Sequence, residues 1–140
     1  MTGAEKAVLV HIDFRAAQFN EEFDEFIQLV ESAALCIQQT LTGKLDVPNA
    51  KYFIGTGKLE ELKNLLSVVA ADVVIFNHAL SPAQERNLER ELKCRVIDRV
   101  GLILDIFAQR AKSHEGKLQV ELAQLQYLWS RLVGVWTHLE

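Results

Sequence analysis

No apolar run in this 140-residue sequence approaches the ~18 residues that a membrane-spanning helix requires, which excludes that class and any membrane partner of that kind. The first residues, Met1-Thr2-Gly3-Ala4-Glu5-Lys6, lack the basic, apolar and small-residue succession of a secretory signal, so the expected compartment is the cytoplasm. Cysteine occurs only twice, at Cys36 and Cys94, with no C-x-x-C spacing. Without an export signal these read as two reduced, mostly buried thiols rather than a disulfide or a metal site. Basic charge is also short: 15 Lys and Arg stand against 19 Asp and Glu, a formal net charge of −4. Nucleic-acid-binding domains usually carry the opposite balance, so any RNA contact must come from a local patch.

Several chemical signatures are missing as well. Gly55-Thr56-Gly57-Lys58 falls short of a phosphate loop, because the loop is too short and Leu59 stands where a magnesium-binding hydroxyl should be. It reads as a tight turn into a helix, with a weak anion site at that helix start as the alternative. Asp98-Arg99-Val100-Gly101 matches D-x-x-G, but no phosphate loop precedes it and no Asn-Lys-x-Asp motif follows. The expectation is therefore no GTP hydrolysis, and no cofactor, in this chain itself. His11, His78, His114 and His138 are scattered without metal-ligand spacing, so neither a metal site nor a catalytic constellation is expected.

What is present is a globular composition, 49% hydrophobic and 24% charged, enough to bury a core. Lys6 to Ile12 reads as a buried strand. A helix starts near Asn20 and carries Phe23, Phe26, Ile27, Val30 and Ala34 on one face. Leu35 to Leu41 reads as a second strand with Leu35, Ile37 and Leu41 on one side. A loop, Gly43 to Ala50, precedes a short extended piece at Tyr52-Phe53-Ile54. The next helix opens at Thr56-Gly57 and carries Leu59, Leu62, Leu65, Leu66 and Val69. Asp72 to Phe76 is the clearest strand. Ser81-Pro82-Ala83-Gln84 combines an N-cap, proline at the first helical position and the capping-box glutamine, with the helix running to about Leu92. Arg95 to Asp98 is the last strand. Alternating strands and helices predict an α/β fold, a parallel sheet with helices on both faces.

From Gly101 onward only helical signals remain, so the chain divides into an α/β subdomain over 1–100 and a long, coiled-coil-like helical extension over 101–140. Leu118, Leu122, Leu125, Leu132, Trp129 and Trp136 form a heptad seam. Burying six such side chains is worth on the order of 10 kcal/mol, so the seam needs a partner. The options are the chain's own sheet, a second copy through self-association, or a helix outside this sequence.

Two groups of polar residues are candidate sites. Asp13, Asn77, His78 and Asp98 fall just past the carboxyl ends of strands, the edge where open α/β sheets bind ligands; the alternative is turn and capping duty, with Asp98 capping the next helix. Arg110, Lys112, His114 and Lys117 cluster where the extension starts, with Arg99 and Arg131 nearby, and offer phosphate contacts or simply a solvated face.

Long blocks of this sequence resemble the HflX family of ribosome-associated GTPases. They are Val96-Ile97-Asp98-Arg99-Val100-Gly101-Leu102-Ile103-Leu104-Asp105-Ile106-Phe107-Ala108-Gln109-Arg110-Ala111, Ser81 to Glu89, Gly116 to Leu125, Trp136-Thr137-His138-Leu139, and Tyr52 to Lys58. They run in family order from about Lys6 onward; Val100 departs from the usual threonine. The resemblance implies an α/β subdomain followed by a pair of antiparallel helices, with Gly116 to Leu139 as the first arm. A Gly-rich loop, the second helix and the G domain, with its GTP and Mg2+, are then expected after Glu140. It also implies binding to the large ribosomal subunit and its rRNA, with GTP-dependent separation of stalled ribosomes. On that basis Arg99, Arg110, Lys112, Lys117 and Arg131 are candidate phosphate contacts, and the Asp13/Asn77/Asp98 edge is a candidate for ATP. The rival readings are a nucleotide-binding α/β domain in its own right and a dimerising assembly module.

Overall fold

The computed structural model describes residues 5–14, 19–111 and 126–131, with backbone only at Phe19, Asn20 and Ala111. Four strands, β1 (Lys6–Asp13), β2 (Cys36–Lys44), β3 (Val73–Phe76) and β4 (Arg95–Ile97), form one parallel sheet in the order β2-β1-β3-β4. The helices α1 (Phe19–Ser32), α2 (Thr56–Val69), α3 (Pro82–Leu92) and α4 (Arg99–Ala111) cover both faces.

Alternation along β1 decides which helix packs where. Val8, Val10 and Ile12 point to one face and join Leu59, Leu62 and Leu66 of α2 with Leu88 and Leu92 of α3. Ala7 and Leu9 point to the other and join Phe26, Leu29 and Val30 of α1 with Leu102, Ile103 and Ile106 of α4. Both faces of β1 are thus buried, which is why the strand is almost uninterruptedly aliphatic. Right-handed crossovers place α1 and α2 on opposite faces because the chain moves from β1 outward to β2 and then back past β1 to β3.

Local chemistry sets the helix ends. Ser81 accepts the Gln84 N–H at 3.1 Å while the Gln84 side chain accepts the Ser81 N–H at 2.9 Å, closing the expected capping box at α3. Asp98 caps α4 by accepting the Gly101 N–H at 2.8 Å. Between β2 and α2, Asn49 accepts the N–H groups of Lys51 and Tyr52 through its side chain, at 2.9 and 3.0 Å, and pairs its backbone with Phe53. This tight turn holds Phe53 at φ 67, a left-handed conformation that a bulky residue adopts only when its surroundings fix it.

Three expectations are corrected. Ile37 and Leu41 face opposite sides of the sheet, because the pairing with β1 slips between Ala7–Ile37 and Val8–Gln39 and leaves Gln38 as a bulge. Ala34 leaves the helical face; it follows α1 in a turn at φ 58, and Ala33 is the buried residue there. Cys36 is exposed at the start of the edge strand, although both cysteines are free.

In the helical segment 126–131, Leu128 packs against the α1/α4 cluster while Tyr127 and Trp129 are exposed. The rest of the expected seam, Leu118, Leu122, Leu125, Leu132 and Trp136, lies outside the described residues, as do Lys112 and Lys117. No helix among the described residues is long and apolar enough to cross a membrane.

Candidate functional site

The carboxyl ends of β1 and β3 lie side by side, yet their chains leave for helices on opposite faces, α1 and α3. A crevice opens wherever a parallel sheet reverses in this way. Here it is a cleft of about 290 Å³ with His11, Asn77 and His78 at its base, Phe53 on one wall, and Glu25 and Arg99 on the other. Leu128 and Arg131 border its rim.

Its polar groups form one connected chain. Asn77 Nδ2 donates to His11 Nδ1 at 3.0 Å and to the Glu22 carbonyl at 3.3 Å, while Asn77 Oδ1 accepts from Arg99. Because the amide oxygen takes the guanidinium, the amide nitrogen must be the donor toward His11, whose ring therefore carries its proton on Nε2. Arg99 also donates to Glu25, and Arg131 reaches the second oxygen of Glu25 at 3.4 Å. His78 Nε2 accepts the Ile12 N–H at 2.9 Å. Burial, then the neighbouring His11 and Arg99, lower the His78 pKa to about 3, so this ring is neutral near pH 7. The two histidine rings stack at 5.6 Å, and Phe53 lies 5.0 Å from His78. The cleft thus joins a neutral His78 ring to two arginines that share Glu25.

The candidate residues separate. Asn77 and His78 line the cleft, joined by Arg99 and Arg131 from the basic group. Asp13 is not among the lining residues. Asp98 serves structure: besides capping α4 it accepts the Leu80 N–H at 2.9 Å, and it faces Glu85 and Glu89 on the opposite side of the sheet. There, burial and then the Asp98 and Glu89 charges raise the Glu85 carboxyl above its ordinary range. Arg110 donates to the Ser32 carbonyl at 3.3 Å, near the end of α1. The Gly55 turn enters α2 with no side-chain cap, and Lys58 pairs with Glu61 at 3.2 Å. Burial pushes the Cys94 thiol above its ordinary range. Among the described residues no group of His, Cys, Asp and Glu is arranged to hold a metal ion.

Among the lining residues that were not candidates from the sequence are His11, Glu25 and Phe53. His11 had a usable signal, a lone polar ring inside an aliphatic strand. Glu25 and Phe53 had none, since each becomes a cleft residue only through the fold.

Comparison with known proteins now bears on this arrangement. Residues 20–108 match the family described as GTP-binding GTPase N-terminal, and residues 110–140 match the GTP-binding GTPase Middle Region. The chain is 60% identical to GTPase HflX of Escherichia coli K12 over 136 residues, 97% of this chain and 32% of that protein. It belongs to the HflX GTPase family. GTPase HflX of Magnetococcus marinus is 47% identical over 84% of this chain and 27% of its own length. Among solved structures, a GTP-binding protein from the hyperthermophilic archaeon Sulfolobus solfataricus in complex with GDP superposes with a TM-score of 0.58 at 34% identity, over 88% of this chain and 36% of that one. A complex of SsGBP with GDP gives 0.61 at 35% identity, over 88% of this chain and 35% of that one. The chain spans about a third of the length of these relatives.

Proposed function

We propose that this chain is the ribosome-binding N-terminal region of an HflX-type GTPase, and that the whole protein binds the large ribosomal subunit and separates stalled ribosomes in a GTP-dependent way. The observation that carries the proposal is the 60% identity to GTPase HflX over 97% of the chain. In this reading GTP and Mg2+ belong to a G domain outside the sequence, and the protein works in the cytoplasm. The proposed boundary near residue 100 separates the α/β subdomain from a helical extension that begins with α4, packed on the sheet, and continues in the first arm of a helical pair, Gly116 to Leu139. The partners are ribosomal RNA, the second helix and the G domain. Arg99, Arg110, Lys112, Lys117 and Arg131 are the proposed phosphate contacts; Arg99 and Arg131 are also engaged by Glu25, and Arg110 by the Ser32 carbonyl. The test is co-sedimentation with large ribosomal subunits across a salt series. Binding that weakens with salt, and whose salt slope falls on Arg110→Glu with Lys117→Glu, supports the patch. Binding unchanged by the double substitution rejects it. The rival reading, self-association of the isolated chain through the seam, is checked by sedimentation velocity with Leu125→Asp.

The cleft favours a second reading, nucleotide binding. It lies at the sheet reversal where ligands of α/β folds bind, with Phe53 and two histidine rings as flat surfaces. Calorimetric titration with ATP tests it: saturable heat abolished by Asn77→Ala supports the reading, and the absence of heat rejects it.

A further inference from the structure

Glu25 occupies an unusual position, since its two oxygens are claimed by guanidinium groups from different parts of the chain. Arg99 comes from the first turn of α4, inside the α/β subdomain, and its side chain is only 13% exposed. Arg131 comes from the helical segment 126–131 and is 52% exposed. The two halves of this bridge are unequal. Removing the carboxylate from a largely buried arginine leaves an uncompensated charge, so the Arg99 side is locked. The Arg131 side is longer, solvated and open to screening by salt. The Tyr127 ring lies 5.7 Å from the Arg131 guanidinium and holds it over the rim. Leu128, on the same turn, supplies the apolar half of the seating against α1 and α4.

We infer that Glu25 is a positioning residue, a latch that fixes how the helical segment 126–131 seats on the α/β subdomain and links that seating, through Arg99 and Asn77, to the state of the cleft. The link follows from shared partners. Asn77 and Glu25 together satisfy Arg99, so a group that enters the cleft and engages Arg99 draws on the same guanidinium that orients Glu25 toward Arg131. Release is directional: the Arg131 half opens first, which frees the helical segment and leaves the sheet intact. The inference concerns the chain's own geometry and stands whether the proposed ribosome function is right or wrong.

The experiment is residue-resolved amide hydrogen exchange on this chain, comparing the native sequence with Glu25→Gln, Arg131→Gln and the double variant. Losing an exposed ion pair shifts a local opening equilibrium by roughly two- to fivefold. Arg131→Gln is therefore expected to speed exchange of the 126–131 amides by about that factor while β1 and β3 amides keep their protection. At the 126–131 amides the double variant is expected to match Arg131→Gln, and added salt to reproduce the effect only in the native sequence. Should Glu25→Gln unfold the subdomain, its loss of β1 protection identifies that outcome and Arg131→Gln, at the exposed half, carries the test. Unchanged exchange at 126–131 in Arg131→Gln overturns the inference, as does a double variant in which the two effects add.

Discussion

The backbone N–H of Ile12 donates to Nε2 of His78 at 2.9 Å, tying the end of the central strand to the second residue after β3. A ring nitrogen that accepts this bond cannot carry a proton, and burial beside His11 and Arg99 opposes protonation further. The folded pKa is about 3 against an unfolded value of about 6.5. The unfolded chain therefore binds a proton first. This contribution to stability is complete above about pH 6.5 and is lost progressively as pH falls toward about 3. Urea unfolding at about pH 7 and about pH 4 should differ by on the order of 3 kcal/mol from this group, and His78→Asn should flatten that part of the profile. An equal pH dependence in the variant would show that other groups cause it.

Asp98 holds two backbone N–H groups, Leu80 at 2.9 Å and Gly101 at 2.8 Å, while almost fully buried. Asp98→Ala strands both donors and should cost about 2–4 kcal/mol by chemical denaturation. Asp98→Asn keeps one acceptor and should recover roughly half of that loss. A cost below about 0.5 kcal/mol for alanine would contradict the double anchoring.

Leu62 and Val68 sit on opposite sides of α2, one fully buried and the other 82% exposed. Leu62→Ala should destabilise by about 2–5 kcal/mol through the cavity it leaves. Val68→Ala should stay within about 0.5 kcal/mol of the native protein, and the pair of thermal melts checks both.

Gly43 presents a different case. A Cβ there meets Lys58 Cε at 2.7 Å, but that atom is the far end of a flexible side chain. Gly43→Ala should therefore change stability by less than about 1 kcal/mol, since Lys58 can swing aside and the strand gains rigidity. A loss of several kcal/mol would mean that the Lys58 stem is fixed more firmly than its contacts indicate.

Features written in short spans of sequence are legible in the sequence alone. The capping box at Ser81, the helix cap at Asp98 and the aliphatic strands depend on residues within a few positions of one another, and each is where its pattern puts it. The bulge at Gln38 was hidden because register depends on β1, some 30 residues away along the chain. The cleft was half legible. Asn77 and His78 follow from the rule that ligands meet strand ends. Arg99 was grouped by its charge with surface basics, because charge counting does not reveal that Glu25, 74 residues earlier, neutralises it.

The strand order also governs how the protein can be made. β1 is the first of the four strands to be synthesised, yet it takes the place between β2 and β3. Its six consecutive buried residues, Ala7 to Ile12, gain one neighbour when β2 forms and the other only when Phe76 has been added. A nascent chain shorter than that carries an aliphatic strand with an open edge, the kind of segment that aggregates. Chain growth past Phe76 closes the second edge of this stretch, and its two faces are fully covered only once α3 and α4 have followed.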